Sequence, residues 1–315
     1  MMEEVNEDIF TAEEKELIRP FFTNLDKPIF ALINLPEVVK GALFSRYSRS
    51  TKSLRRVLLD EFILKPEMGL KEIVGFRNDS GESQIVAIKK AEEFYERVLV
   101  GYGDDSVAEL GGANVACEQI SQIAAKFIEG ARIGISPLEK STRYVWFNKK
   151  VDGKHQYYRE PVIMSSEFAE IYVNTCDLLF DTYSRLVEPM TKFFSERFPQ
   201  ESGVSERAYG SAIRAKVCDV LRGLLPAATL TNVGLYGNGR AFEYLLTKMY
   251  AHHLAEIRSV AESLHNELNS VIPAFVKRAN DKYGKSMQEY ISETNKCIKE
   301  FVKNNISDER ENSEE

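Results

Sequence analysis

The sequence predicts an α/β (α+β) protein in which many helices accompany few strands. Segments near 166–197, 205–224 and 240–278 have helical periodicity, whereas shorter stretches at 28–35 and 144–164 are typical of extended chain. A hydrophobic fraction of 43% over 315 residues is enough to bury one large core or two small ones. We therefore expect a globular, helix-rich fold.

The first 63 residues predict a lead segment, a strand and a helix. Residues 1–27 form an acidic, amphipathic lead, and the apolar stretch "PIFALINL" at 28–35 is typical of a strand. From 40 to 63, a Ser/Thr-rich start that can cap a helix precedes four apolar residues at helical spacing. These are Leu54, Val57, Leu58 and Phe62.

The middle of the chain predicts a loop-rich segment followed by helices. Residues 64–84 contain Pro, Gly and the polar stretch "NDSGES", and residues 85–100 change from a strand-like start into a helix. Between 112 and 133 the apolar residues fall on one helical stripe, which predicts a core helix. The stripe consists of Val115, Ile120, Ile123, Ala124, Phe127 and Ile128.

The C-terminal third predicts a helix that contacts another long helix. Within 240–278, apolar residues repeat at heptad spacing, so we also expect the chain to form an oligomer. The repeat consists of Leu254, Ile257, Ala261, Leu264, Leu268 and Val271. We divide the chain into a lead at 1–27, one domain at 28–280, and a helical and disordered acidic extension at 281–315.

Composition argues against several classes of protein. The net charge of −7 and the pI near 5.4 disfavour indiscriminate nucleic-acid binding, although they allow a local basic pocket. The N-terminus is acidic where a signal peptide is basic, and no run approaches the roughly 18 apolar residues of a spanning helix. We expect a cytoplasmic protein without membrane association.

The cysteines and histidines predict no metal site. The four cysteines lie far apart, with no CxxC pair and no His at ligand spacing, so we expect reduced thiols rather than a zinc site or a disulfide framework. His252 and His253 are adjacent and are expected to face different directions. The cysteines are Cys117, Cys176, Cys218 and Cys297.

A basic stretch, "FSRYSRSTKSLRR" at 44–56, is the first candidate for binding a phosphate. Its cations stand among hydroxyl side chains, which fits either a phosphate-binding surface or a solvated helix face. A nucleic-acid binder that uses this stretch is disfavoured by the acidic net charge. The basic residues are Arg46, Arg49, Lys52, Arg55 and Arg56.

The stretch "GYGDDSVAEL" at 101–110 is the second candidate. Ser106 can cap a helix and Glu109 can close a capping box three residues later. The same geometry gives a helix N-terminus that attracts a ligand phosphate. Spacing does not separate these two interpretations.

The stretch "SPLEKSTRY" at 136–144 is the third candidate. In an extended segment, Glu139, Ser141 and Arg143 share one face. An acceptor, a hydroxyl and a guanidinium on one wall fit a nucleoside monophosphate, and they fit an internal Glu139–Arg143 pair equally well.

Farther along, polar residues interrupt the apolar pattern between 221 and 258. Arg222 precedes Pro226 by four residues, Asn238 and Arg240 stand in a Gly-flanked turn, and Lys248 and His252 follow on a helix.

Taken together, these segments resemble the flavin-dependent thymidylate synthases. That family carries G-H-x-S-x-x-E-H, then R-H-R-x-x-S-x-N-E-x-S-x-R-Y, then A-R-x-x-L-P, N-x-R and a helix ending in E-I-R. The order and spacing match "GDDSVAEL", "SPLEKSTRY", "LRGLLP", "NGR" and "EIR" of this chain, from about 28 to 275.

The resemblance implies an α/β fold with a mixed or antiparallel sheet flanked by long helices, and a homotetramer with active sites between subunits. Ser141, Arg143 and Arg222 would then bind the substrate phosphate, with Glu139 beside both ligands and Lys248 in place of a base-contacting arginine. The flavin-side residues would be Ser48, Ser106, Glu109, Arg132, Asn238, Arg240 and His252.

The implied reaction is reductive methylation of dUMP to dTMP. Methylenetetrahydrofolate supplies carbon, and FAD carries hydride from NADPH, so the protein supplies orientation and charge rather than a nucleophile.

The chain departs from the family pattern at two places. Ala131, Arg132 and Ile133 stand where the family has R-H-R, and Asp104 and Leu110 replace two histidines. These departures favour two alternatives: a divergent homologue that acts on another pyrimidine nucleotide, or a non-catalytic flavin- or nucleotide-binding protein.

Overall fold

The computed structural model describes residues 10–65, 105–131 and 133–305, without the side chains of Asp105 and Ser106. Most of the predicted loop and helix at 64–100 therefore lies outside the described residues. Within them the helices are α1 (Ala12–Ile18), α2 (Glu37–Tyr47), α3 (Leu54–Val57), α4 (Gln122–Gly130), α5 (Pro161–Met164), α6 (Ala169–Arg197), α7 (Glu206–Leu221), α8 (Gly239–Tyr250), α9 (Ala255–Asn269), α10 (Pro273–Val276) and α11 (Lys282–Asn305).

An antiparallel sheet lies among these helices, as predicted. Its strands are β1 (Gly112–Ser121), β2 (Ile135–Glu139) and β3 (Leu230–Asn238), in the order β1-β3-β2. β3 alternates buried and exposed residues, which is the pattern of a strand with one face in the core. The buried face of the sheet packs against α4, α8 and α9.

The predicted helix over 112–133 is wrong in its first half, because Gly112–Ser121 is strand β1. The register with β3 shifts between Cys117 and Ile120, and Gln119 there has a positive φ of 56°. An extra residue in a strand delays the next inward side chain by one position. The bulge therefore gives this strand an apolar spacing that resembles a helical stripe. Only Gln122–Gly130, α4, is helical.

The N-terminal prediction is half right. Residues 28–35 form no strand, and only an isolated bridge joins Phe22 to Leu32. The predicted helix at 40–63 consists of α2 and then α3, which continues into a π-helical turn at Leu58–Ile63. Ser53 caps α3 by accepting from the Arg56 amide at 3.2 Å, so the predicted cap is confirmed.

In the described parts of the chain, apolar side chains are buried in two clusters. The larger one lies between the sheet and the helices α1–α4 and α8–α10, and it includes Ile18 and Phe21 from the acidic lead. The smaller one lies between α6, α7 and the segment 147–157. That segment is irregular rather than continuously extended, although Tyr157 bridges to Thr229 beside β3.

The predicted helix over 240–278 is divided into α8, α9 and α10. The heptad stripe lies mainly on α9, where Ile257, Ala261, Leu264 and Leu268 are buried in the larger core and α9 packs against α8 of the same chain. Val271, by contrast, is 48% exposed. The stripe is therefore explained by intramolecular packing.

No helix in the described parts of the chain combines the length and the hydrophobicity that a membrane-spanning helix requires.

Candidate functional site

Two of the predicted phosphate ligands meet at one carboxylate. The Arg143 Nε lies 3.4 Å and an Arg222 terminal nitrogen 3.1 Å from the same oxygen, Oδ1 of Asp219. All three side chains are between 41% and 54% exposed, so solvent and small anions reach them. Two guanidinium groups around one carboxylate leave a net positive charge.

Local structure explains how the two arginines come together. Asp219 lies in the last turn of α7 and Arg222 is its C-cap residue, so they are i,i+3 neighbours on one face. Arg143 lies in a turn that follows β2. Its backbone amide donates to the Ser141 hydroxyl at 3.2 Å. The turn directs the Arg143 guanidinium to the C-terminal end of α7.

The predicted common face of Glu139, Ser141 and Arg143 is wrong, because the strand ends at Glu139 and residues 142–144 form a turn. Alternation of side chains requires a continuous strand. The alternative interpretation, an internal Glu139–Arg143 ion pair, is not found among the described residues either. Arg143 pairs with Asp219 instead.

One carboxylate oxygen of Glu139 lacks a hydrogen-bond partner. Glu139 lies opposite Val233 of β3, and its Oε1 is buried without a partner among the described atoms. An unpaired buried carboxylate oxygen is costly, and such atoms occur where a ligand or water supplies the missing donor. Glu139 therefore fits a ligand-facing position.

A second polar group lies at the N-terminus of α8. Arg240 donates to Glu109 Oε1 at 2.7 Å, and both side chains are half exposed. Asn238 caps the helix by accepting from the Ala241 amide at 2.8 Å. The carboxylate of Glu109 thus pairs with Arg240. The sequence analysis considered a capping box or a phosphate site for this segment, but not this ion pair.

The other end of α8 holds Lys248 and His252. The Lys248 ammonium lies 4.1 Å from the centre of the Tyr244 ring, a cation–π contact. His252 accepts from the Leu254 amide at 3.1 Å through Nδ1, and burial lowers its pKa, aided by the charges of His253, Arg258 and Lys299. His252 therefore tends to the neutral form.

The expectation that His252 and His253 face different directions is wrong. Their rings stack with centroids 4.4 Å apart, because α8 ends before them and the chain turns into α9. In the described parts of the chain, no group of three or more His, Cys, Asp or Glu side chains could hold a metal ion.

The predicted flavin-side residues fit an extended anionic cofactor in part. Arg240 and Asn238 lie at the N-terminus of a twelve-residue helix, which favours a phosphate. His252 follows the other end of α8, about 18 Å from Arg240 at 1.5 Å per residue. A ligand that contacts both Arg240 and His252 must therefore run along α8. Ser48 is the exposed C-cap of α2 and donates to the Ser45 carbonyl at 2.8 Å. The Ser106 side chain and Arg132 lie outside the described residues.

The basic stretch at 44–56 is largely paired with carboxylates of the same chain. Arg46 contacts Glu61 at 2.7 Å, Lys52 contacts Asp60 at 2.8 Å, and Arg56 contacts both Asp60 and Glu14. Arg55 instead lies 3.7 Å from the centre of the Phe30 ring and donates to backbone carbonyls. These contacts explain the cluster of cations by intramolecular pairing.

Sequence reasoning missed Asp219 and the buried pair of Ser121 with Glu256. The i,i+3 spacing of Asp219 and Arg222 was a signal for the first. For the second no signal exists, because Ser121 and Glu256 are far apart in sequence. Glu256 accepts from the Ser121 amide at 2.7 Å and from its hydroxyl at 2.6 Å.

The four cysteines are free thiols. Cys117, Cys176 and Cys218 are buried and Cys297 is exposed. Burial raises the pKa of each of the three buried thiols. They therefore stay protonated and unreactive near neutral pH.

Fold and site together define a helix-rich α/β protein with an antiparallel sheet and two exposed arginines that share one carboxylate. Residues 56–274 match the family described as thymidylate synthase complementing protein, and the chain belongs to that family. This match confirms the resemblance drawn from the sequence motifs.

The chain is also similar to proteins of related sequence. A UPF0159 protein of Chlamydia muridarum is 48% identical over 306 residues, which cover 96% of this chain and 56% of the relative. A UPF0159 protein of Chlamydia pneumoniae is 50% identical over 275 residues, covering 87% of this chain and 50% of the relative. The chain thus spans about half the length of the curated relatives it matches.

Among solved structures, the UMP/dUMP methylase PolB from Streptomyces cacaoi bound with 5-Br dUMP has a TM-score of 0.43 and 14% identity. The superposition covers 78% of this chain and 90% of that protein.

Proposed function

We propose that this chain is a thymidylate synthase-like enzyme that converts dUMP to dTMP with methylenetetrahydrofolate, FAD and NADPH. Membership of the thymidylate synthase complementing family supports the reaction class. The observation that carries the substrate proposal is the convergence of Arg143 and Arg222 on Asp219. We further propose a cytoplasmic homotetramer with sites shared between subunits.

The substrate phosphate would take the place of the Asp219 carboxylate between the two arginines. Both guanidinium groups are already held at one anion, so little ordering is required when the phosphate binds. Ser141 lies in the same turn as Arg143 and would add a hydroxyl donor. The three residues bind and orient the nucleotide.

Glu139 and Lys248 are proposed to act nearer the reacting ring. The buried, unpartnered Oε1 of Glu139 would accept from a ligand donor. Lys248, held over the Tyr244 ring, would place positive charge where negative charge develops on the pyrimidine. Both residues polarise or position the substrate, and neither needs to form a covalent bond.

Ser48, Ser106, Glu109, Arg132, Asn238, Arg240 and His252 are proposed to contact FAD. When bound, FAD would deliver the hydride that completes the methyl group. Arg240 would exchange its contact with Glu109 for a cofactor phosphate, and Asn238 would keep the N-terminus of α8 in place. His252, whose pKa is lowered by burial, would serve as a neutral hydrogen-bonding group.

One observation favours the second candidate, a non-catalytic nucleotide- or flavin-binding protein. Ile133 stands where the family has the second arginine of R-H-R, and it is 93% exposed. An apolar side chain there cannot hold a phosphate or a carbonyl. A homologue that acts on another pyrimidine nucleotide is compatible with the same observation.

Three measurements on the purified protein test the proposal: flavin binding, dUMP binding and dTMP formation. The visible spectrum with added FAD should show a flavin bound near stoichiometry, and calorimetry should show dUMP binding in the presence of FAD. Bound flavin and dUMP without dTMP formation would favour the non-catalytic protein. Absence of dUMP binding would overturn the substrate assignment.

Arg143→Ala separates a ligand role from a structural one. A charge-assisted contact is worth about 1.5–3 kcal/mol, so dUMP affinity should fall roughly tenfold to a hundredfold. Arg19→Ala is the matched control, because Arg19 also forms an exposed ion pair, with Glu16 at 3.2 Å. Equal affinity of Arg143→Ala and the wild-type protein would remove Arg143 from the site.

A further inference from the structure

Helix α11 carries an exposed apolar seam that the proposed reaction does not use. The helix begins at Lys282, after the end of the family match at residue 274. Its seam residues follow one another at alternating intervals of four and three, the spacing of a coiled-coil contact line. They are Tyr283, Met287, Tyr290, Thr294, Cys297 and Phe301.

The seam is open to solvent. The three aromatic members, Tyr283, Tyr290 and Phe301, are each between 63% and 68% exposed. A groove lined by Tyr290, Glu293, Thr294, Cys297, Ile298 and Phe301 runs along the same face. Exposed apolar side chains in a continuous line are typical of a binding surface rather than of an isolated helix.

The two halves of α11 differ in their contacts. Near the start, Gln288 donates to the Ala279 carbonyl at 2.7 Å, and a Cβ on Gly284 would clash with the Arg278 carbonyl oxygen. The first half is therefore held closely against residues 277–280. Residues 295–305, by contrast, are exposed on every side of the helix.

The second half of α11, residues 295–305, has no tertiary packing of its own among the described residues. It continues the helix from the anchored first half, and helices in proteins gain most of their stability from packing of an apolar face. It nevertheless carries Ile298, Phe301 and Val302, which are all exposed. In the described chain no segment covers these side chains.

We propose that two copies of this chain associate through the seam, with their α11 helices antiparallel. Pairing about a two-fold axis near residue 292 places Tyr283 opposite Phe301 of the second copy, Met287 opposite Cys297, and Tyr290 opposite Thr294. Every seam residue then has a partner, and the contact is self-complementary as a two-fold interface requires.

Side-chain size favours this arrangement over a parallel one. In the antiparallel pair each Tyr290 faces a small Thr294, and the aromatic Tyr283 meets the aromatic Phe301. A parallel pair would place Tyr290 against Tyr290 and Thr294 against Thr294. Bulky and small pairs of side chains would then alternate along the interface, and two straight helices cannot pack evenly against both. The antiparallel pair also opposes the two helix dipoles.

The same arrangement covers the free half of each helix. Residues 295–305 of one copy would lie on the anchored first half of the other, so that each α11 is supported along its length. Each aromatic side chain buries about 150–250 Å² when fully covered. The six aromatics of two copies therefore supply on the order of 1,000 Å², the area at which specific interfaces begin.

Covalent trapping tests the register. Cys297 and its copy would be ten residues apart along the pair, about 15 Å at 1.5 Å per residue, which is too far for a disulfide. Met287→Cys would instead lie opposite Cys297 of the second copy. Mild oxidation should give a dimer band for Met287→Cys and none for the wild-type protein. Met287→Cys combined with Cys297→Ser is the control and should give none.

A dimer band from the wild-type protein through Cys297 would overturn the antiparallel register, as would the absence of a band from Met287→Cys. The other three cysteines are buried, so they do not contribute a background.

Light scattering tests the association itself. Tyr290→Lys combined with Phe301→Lys should halve the wild-type mass at tens of micromolar protein, because charged side chains replace apolar contacts on both halves of the seam. Asn295→Lys, at an exposed position outside the seam, should leave the mass unchanged. Circular dichroism melting would show that each variant is folded. An equal mass for the wild-type protein and the seam variant would overturn the proposal.

Discussion

The Arg143 guanidinium lies 3.4 Å from the Asp219 carboxylate, although the two residues belong to separate segments of the chain. Arg222 contacts the same carboxylate oxygen at 3.1 Å. The positions of both arginines thus depend on one acidic side chain, which occupies the place proposed for the substrate phosphate.

Asp219→Asn should therefore strengthen dUMP binding. The substitution keeps the shape of the side chain and removes the negative charge that competes with the phosphate. Exposed ion pairs are worth about 0.2–1 kcal/mol each, and Asp219 forms two, so the gain should be about twofold to thirtyfold. Calorimetry at two salt concentrations measures the effect, and the gain should shrink at the higher one because salt screens exposed charges.

Glu16→Gln is the control for Asp219→Asn, because it removes an exposed ion pair away from the proposed site. Weaker binding by Asp219→Asn would show that Asp219 holds the arginines in place rather than competing with the substrate.

Ser121→Ala should lower the free energy of unfolding by about 2–4 kcal/mol. The Ser121 hydroxyl caps α4 and donates to the buried Glu256 carboxylate at 2.6 Å. Loss of the cap costs about 1 kcal/mol, and loss of a hydrogen bond to a charged group costs about 1.5–3 kcal/mol. Urea denaturation measures the difference.

Ser205→Ala provides the comparison for Ser121→Ala. Ser205 caps α7 by accepting from the Ala208 amide, but it is exposed. Its removal should cost about 1 kcal/mol. Equal losses for the two variants would mean that the contact with Glu256 adds no stability.

Leu268→Ala should destabilise the fold without changing the mass of the assembly. Leu268 is fully buried in the core of its own chain, and such truncations cost about 2–5 kcal/mol. Val271→Ala, at the half-exposed end of the same stripe, should change stability by less than about 0.5 kcal/mol. Melting curves and light scattering measure both quantities. A lower mass for folded Leu268→Ala would place the stripe at a subunit interface.

Asp181→Asn should reduce stability at neutral pH and have less effect in acid. His155 Nε2 lies 2.8 Å from the Asp181 carboxylate and Lys150 lies 3.4 Å away. The hydrogen bond with His155, followed by the contact with Lys150, lowers the Asp181 pKa. The folded chain therefore releases this proton more readily than the unfolded chain does. The resulting stabilisation is complete above the unfolded pKa near 4 and is lost as pH falls through the lower folded pKa.

Because Asp181 is 60% exposed, water screens the contact and the effect should be modest. We expect the Tm to fall by about 1–4 °C at pH 7 and the difference to shrink below about pH 4. Glu188→Gln, at an exposed position on the same helix, is the control. A difference that grows in acid would contradict the lowered pKa.

The sequence located helices best where apolar periodicity was long and uninterrupted. The predicted segments near 166–197 and 205–224 correspond to α6 and α7 within a few residues. It failed at Gly112–Ser121, where a bulge changes the spacing of inward side chains, and at 28–35, where an apolar stretch forms no ladder. Both failures arise because strand pairing is a contact with distant residues, which local periodicity does not encode.

By itself, the sequence determined the helix-rich class and, through the family resemblance, a mixed or antiparallel sheet, and it singled out Arg143 and Arg222 as candidate phosphate ligands. Only the tertiary structure decided that Glu139, Ser141 and Arg143 share no common wall, because the strand ends at Glu139 and a turn directs Arg143 to Asp219. It also decided that the α9 stripe is internal, whereas the seam of α11 is exposed. A heptad pattern shows that a helix has an apolar face, but only the arrangement of the other helices decides which face finds a partner within the same chain.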